Sequence, residues 1–374
     1  MASHWYRWTM ILPLTTLSLW GATIFTQANL TSDIPGLAAN TDPNLKNPWG
    51  VSFSPTSPFW ISDQGTNVST LYTGTGAPQA LVVTTPPTSG APLGPTGQVF
   101  NSSGGGFALP AGSASLFIFA TLSGTIDAWN AGTVATVVAT TPNSVYTGLA
   151  MGSNSSGSFL YAANFAGGRI DVFNSTFAPT TLAGAFVDPS LPAGYVPYNI
   201  ENVDGSLYIA YSQVNPATQQ AAKGAGLGVV SVFDTDGNFI RRLVSNGGQL
   251  NAPWGVTVAP ASFGDFSSKV LVGNFGDGTI NAFDPSSGAF LGTLQDANGT
   301  PIANNSLWAL KVRTGGAGVD PNALYFTAGI NDEVNGLFGS ITASEAIPEP
   351  RTFALLVCGI AGLLVYRRSS RRTV

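Results

Sequence analysis

A pattern of about fifty residues recurs through this chain, and a recurrence of that length restricts the fold to a propeller or a solenoid. Its clearest copy is Asn251–Leu294. There Asn-Ala-Pro-Trp-Gly-Val-Thr-Val, Lys-Val-Leu-Val-Gly-Asn, Thr-Ile-Asn-Ala-Phe-Asp and Gly-Ala-Phe-Leu-Gly-Thr-Leu follow one another. Each is a short β-prone run bounded by Gly, Pro, Asn or Asp. The first run, Trp254–Val258, has counterparts at Trp49–Phe53, Gly97–Phe100, Thr147–Met151, Asn199–Val203 and Leu307–Val312. The third run closes on an aromatic residue in every copy. These are Tyr72, Trp129, Phe173, Phe233, Phe283 and Phe338, at intervals of 57, 44, 60, 50 and 55 residues. The unevenness falls in loops rich in Gly, Ser, Thr and Pro, where extra length costs little.

Six copies of four runs predict an all-β fold over residues 29–344, a six-bladed β-propeller with four-stranded blades. The runs are apolar or small throughout, as both faces of an interior blade require. A lone copy could not bury both faces, so the copies form one domain. Fourth runs are read at Ala80–Thr84, Val134–Ala139, Leu182–Val187, Phe239–Val244 and Phe290–Leu294; the sixth copy lacks one. Ala28–Asp33 is the spare strand. It is expected to pair with Gly336–Thr342, closing the ring and removing an exposed edge.

Charge and rare residues exclude several functions. Between Asn29 and Ala346 there are 8 Lys and Arg against 18 Asp and Glu. Such a body does not attract nucleic acid, whose affinity comes from Lys and Arg on phosphates. The only histidine is His4 and the only cysteine Cys358, both in the end segments. The body therefore has no disulfide, no His- or Cys-ligated metal and no Ser-His or Cys-His nucleophile.

The two ends read as targeting segments. Residues 1–28 have the form of a signal peptide: Arg7, the apolar helix-forming run Trp8–Phe25, and small residues through Ala28. Residues 345–374 contain Pro348-Glu349-Pro350, the apolar run Phe353–Tyr366, and a basic end with Arg367, Arg368, Arg371 and Arg372. The run 353–366 is short for a transmembrane helix, and the arginines place it with the body outside the cytoplasm. These three parts in this order resemble the PEP-CTERM sorting signal of Gram-negative bacteria. The resemblance implies recognition by an exosortase, transient anchoring in the inner membrane through the C-terminal helix alone, and delivery to the outer surface or extracellular matrix. The body, through Leu30–Asn40, Asn47–Val51 and Phe59–Gly65, is similar to a family of exported bacterial propellers that carry such a tail.

Two residue sets in the propeller are candidates for a site at a channel mouth. Asp63, Asn164 and Asn274 end second runs, and Asn199 and Glu201 lie in a first run; their oxygens suit calcium or another divalent cation. Propeller lactonases of the gluconolactonase type look similar in build, although the acidic residue of their first innermost strand has no counterpart near Trp49–Phe53. The second set is aromatic: Trp49, Trp254 and Trp308 at matching positions, with Tyr198, a surface for a sugar or another flat ligand. The expected function is a non-catalytic surface or matrix protein that binds exopolysaccharide or an envelope protein, with no cofactor. The alternative is a metal-dependent hydrolase, lactonase or lyase that uses the oxygen set.

Overall fold

The computed structural model describes residues 23–86 and 94–345. The signal-peptide expectation for residues 1–22, the sorting residues Pro348, Glu349, Pro350, Arg367, Arg368, Arg371 and Arg372, and the helix 353–366 lie outside the described residues. Among the described residues no helix is long and apolar enough to cross a membrane.

Residues Ile24–Ser344 form one compact unit made of six sheets, five of four strands and a sixth that adds the short strand Asn40–Thr41 parallel to Thr23–Ser32 at its edge. In chain order their innermost strands are Pro48–Ser52, Pro95–Phe100, Tyr146–Asn154, Tyr195–Val203, Pro253–Val258 and Leu307–Val312. Each innermost strand touches the next, and the sixth touches the first, so the sheets make a closed ring. Apolar residues on both faces of the blades pack into the seams between them, as the unbroken apolar runs require.

The innermost strands come close because of one repeated glycine. A Cβ on Gly50 would collide with the carbonyl oxygen of Thr96 in the next blade, and one on Gly97 with the backbone nitrogen of Leu149. Only glycine allows that approach. The Trp-Gly pair of the repeat thus places a large side chain beside a residue that has none.

The ring closes as the spare strand predicts, but with more of the N-terminus. Strand Thr23–Ser32 lies beside Leu337–Glu345 in the sixth blade. Ser32 Oγ donates to the Gly336 carbonyl at 2.7 Å, and Asp33 accepts from Gly336 N at 2.8 Å and Asn335 Nδ2 at 2.7 Å. The strand begins five residues ahead of Ala28, because Phe25 has a pocket to fill. Its ring is buried against Phe263 and Phe266, with centroids 5.0 and 5.6 Å away. Its N–H donates to Gln295 of the fifth blade's crossover at 2.9 Å. The expected boundary at residue 28 therefore cuts through a strand: a leader removed there would take Phe25 with it. Phe25→Ala is expected to lower stability by about 3 kcal/mol, the usual cost of deleting a buried phenyl ring. Urea unfolding at constant m-value measures it, and an unchanged midpoint would show that the leading half of the strand contributes nothing.

One fourth run is misplaced by the sequence reading. Leu182–Val187 is not a strand; the outermost strand of the third blade is Pro179–Thr180. Ala185 and Phe186 both take positive φ, which no strand allows. The segment is held by Gly184 N and Phe186 N donating to Asp236 and Gly237 of the fourth blade. Phe186 lies against Tyr161 and Phe233, a wedge between two blades.

Candidate functional site

In all six blades the pairing of first and second strands slips near the start of the first strand. A slip of this kind re-aims side chains. Here it falls around Trp49, Thr96, Thr147, Tyr198, Trp254 and Trp308, one residue from each blade. Four are aromatic and gather in one buried cluster. Trp49 and Trp308 stack at 3.5 Å between centroids, and Trp254 stands edge-on to Trp308 at 5.8 Å. Tyr198 meets Trp308 at 6.0 Å and Trp49 at 6.4 Å. The blades that contribute threonine leave space beside the cluster.

That space is a cavity of about 460 Å3 at one mouth of the channel. Trp49, Trp308 and Tyr198 line it together with Phe165 and Phe275. Trp254 does not line it; Trp254 lies within the same cluster and donates its Nε1–H to the Thr147 carbonyl at 3.0 Å. Trp308 Nε1 donates to Asn47 Oδ1 at 2.9 Å, whereas Trp49 Nε1 is buried without a partner. All four aromatic residues lie in this cluster, and three of them line the cavity.

Loops supply the polar groups. Asn47 Nδ2 donates to Gln64 Oε1 at 2.8 Å and to Glu333 Oε2 at 3.1 Å, so one amide ties two loops to the Trp308 indole. Asn331, Asp332 and Glu333 all have positive φ, a left-handed turn that non-glycine residues resist. Strain of this sort persists where the surroundings fix it. Here the turn accompanies the placement of Glu333 on the cavity wall. Burial holds the Glu333 carboxyl above its usual range, offset in part by the Asn47 hydrogen bond and the Lys223 charge. Burial likewise keeps the Tyr198 phenol protonated. Lys223 Nζ stands 4.2 Å from the centre of the Phe275 ring, a cation–π distance.

The oxygen set is not brought together. Asn164 Oδ1 accepts from Val145 N at 3.4 Å and Gly167 N at 2.8 Å, and Asn274 Oδ1 from Asn251 N at 3.0 Å. Each thus fastens loops around its own blade. Asp63 accepts from Thr70 Oγ1 at 2.6 Å, and burial holds its carboxyl well above the usual carboxylate range. Asn199 Nδ2 donates to the Trp254 carbonyl at 2.9 Å. Glu201 is paired with Lys311 at 2.6 Å and lines two cavities of about 290 and 350 Å3, neither of them the aromatic one. Among the described residues no three His, Cys, Asp or Glu side chains could share a metal ion. Asp63 Oδ1 alone of this set is buried without a partner.

Phe165, Phe275, Lys223 and Glu333 escape the sequence reading. Phe165 and Phe275 each follow a strand-end asparagine, and side chains alternate along a strand. If the asparagine fastens a loop, its successor points the other way, so a signal existed for the two phenylalanines. Lys223 and Glu333 sit in loops of unlike length, where the repeat offers no counterpart.

Fold and site together define a six-bladed propeller with an aromatic-walled cavity at one mouth of its channel. No protein-family model matches the chain. An uncharacterised protein of Acanthamoeba polyphaga mimivirus is 33% identical over 329 residues, 85% of this chain and 80% of the relative. A second from the same virus is 34% identical over 327 residues, 83% and 84% of the two chains. The chain belongs to the family of these proteins. The relatives point to a viral family and overturn the bacterial PEP-CTERM assignment. That assignment leaned on some thirty tail residues outside the described chain, a short signal with few constrained positions, whereas the viral match runs through the body. Among solved structures, a protein of unknown function from Bacteroides thetaiotaomicron superposes with a TM-score of 0.52 at 13% identity, over 86% of this chain and 76% of that one, a likeness of fold alone. A streptogramin B lyase covers 86% of this chain and 98% of its own at a TM-score of 0.48 and 14% identity, too loose a likeness to argue from.

Proposed function

We propose that this chain is a non-catalytic binding propeller that takes a saccharide, of the kind displayed on an exopolysaccharide or envelope, in the aromatic-walled cavity. The observation that carries the reading is the wall itself. Trp49, Tyr198, Phe165 and Phe275, each a few per cent exposed, form an apolar wall backed by the covered Trp308 ring, and Gln64, Gln220, Lys223 and Glu333 surround it with hydrogen-bonding groups. Such a site is concave and apolar with a few polar groups that fix orientation. The network through Asn47 holds it ready before any ligand arrives, which reduces the ordering cost of binding. Delivery to an outer surface belongs to the same proposal, and fractionation of the producing cells tests it.

The experiment is calorimetric titration of the full chain with a panel of neutral and acidic oligosaccharides, followed in parallel by tryptophan emission. Micromolar to millimolar dissociation constants with a change in emission are expected. No heat and no change in emission with any member of the panel would end the saccharide reading.

A further inference from the structure

We infer that the saccharide is an acidic one, a uronate whose carboxylate meets the Lys223 ammonium while its ring lies on the aromatic wall; this rests on the saccharide reading above. The first support is the state of Lys223. Among the described residues Lys269, Lys311, Arg169 and Arg242 each form an ion pair with a carboxylate; Lys46, Lys223, Arg241 and Arg313 form none, and of these four only Lys223 lines the aromatic cavity. The body carries 18 acidic residues against 8 basic ones, so an unpaired ammonium at its aromatic cavity is not a product of surplus. Its Nζ is held over Phe275, which lines the same cavity. A bound carboxylate would gain a charge-assisted hydrogen bond there.

The second support is the inventory of unused groups. The Tyr198 hydroxyl makes no hydrogen bond to another described residue, is not among the fully buried unpartnered atoms, and belongs to a residue that lines the same cavity. It stays a donor because burial keeps it protonated. Lys223 and Tyr198 are both donors that lack an acceptor. A ligand rich in acceptor oxygens, with one carboxylate among them, supplies what they lack. Glu333, on the same wall, is pushed toward its neutral form by burial and back toward its ionised form by the Asn47 hydrogen bond and the Lys223 charge; a carboxylate entering beside it pushes it further toward neutral.

The test compares oligouronates, including galacturonate and glucuronate oligomers, with their methyl esters, which keep the rings and remove the charge. Titration of the full chain at low salt is expected to give at least tenfold tighter binding of the acids. That preference should shrink as salt rises. In Lys223→Met the acids should fall to the level of the esters. Lys223→Arg should keep a preference, and Lys269→Met, which removes the same charge in another part of the ring, should keep all of it. Equal affinity for acids and esters in the parent chain overturns the inference and leaves the saccharide reading standing. So does an undiminished preference in Lys223→Met. If no saccharide of either kind binds, both fall together.

Discussion

Replacing Trp308 with alanine is expected to cost about 4 kcal/mol of folding stability and to abolish ligand binding in the aromatic-walled cavity. The indole is 0% exposed and stacks on Trp49 on one side and on Phe275, 4.4 Å away, on the other. Its N–H also holds the Asn47 side chain that positions Gln64 and Glu333. Removing it leaves a void among rings from three other blades, which cannot collapse without moving the innermost strands. Urea unfolding measures the first effect, and titration with any saccharide that binds the parent chain, at a temperature where the variant is folded, measures the second. A loss below about 1 kcal/mol would show that the cluster repacks, and retained binding would show that the wall of the cavity lies elsewhere.

A second large effect is expected from a single buried acid. Asp127 lies in the third strand of the second blade, 0% exposed, and neither carboxylate oxygen has a partner within hydrogen-bond distance; the nearby Thr125 hydroxyl offsets the cost of burial only in part. Burial raises its pKa from 3.8 to about 7. The folded chain therefore holds this proton over a range where the unfolded chain has released it. Stability from this group is greatest below about pH 4, falls as pH rises toward 7, and is flat above; the whole change is at most about 4 kcal/mol. Asp127→Asn removes the titration. Its stability relative to the parent is expected to rise by a few kcal/mol between pH 4 and pH 8, read as a melting temperature several degrees higher at pH 8. Asp63, whose carboxyl burial also raises, slopes the same way in both proteins and cancels from the difference. A difference that does not change with pH would mean that Asp127 is ionised throughout.

Much of the fold was legible because the repeat writes it six times. Each copy carries apolar runs, a closing aromatic and punctuating glycines, so the blade count and the closing strand follow from counting. The errors arise where a local pattern serves another purpose. Leu182–Val187 is apolar or small throughout, as the other strand runs are, yet its backbone is committed to Asp236 and Gly237 of the neighbouring blade. Thr23–Gln27 reads as the end of an apolar leader, but Phe25 is drawn into a pocket built by Phe263 and Phe266, residues far along the chain. The candidate site divides in the same way. Its wall was legible because Trp49, Trp308 and Tyr198 occupy a repeated position. Its polar groups were not, since Lys223 and Glu333 owe their places to loop conformations, one of them left-handed, that no periodicity encodes.

The order in which the ring is made has a consequence for its birth. The segment that seals the toroid leaves the ribosome before any blade exists, and its partner, Leu337–Glu345, is the last described element to emerge. During synthesis the nascent chain can stack blades one by one, but the hoop cannot lock until Leu337–Glu345 has been made. Its final step joins residues some three hundred positions apart, the slowest kind of contact to find.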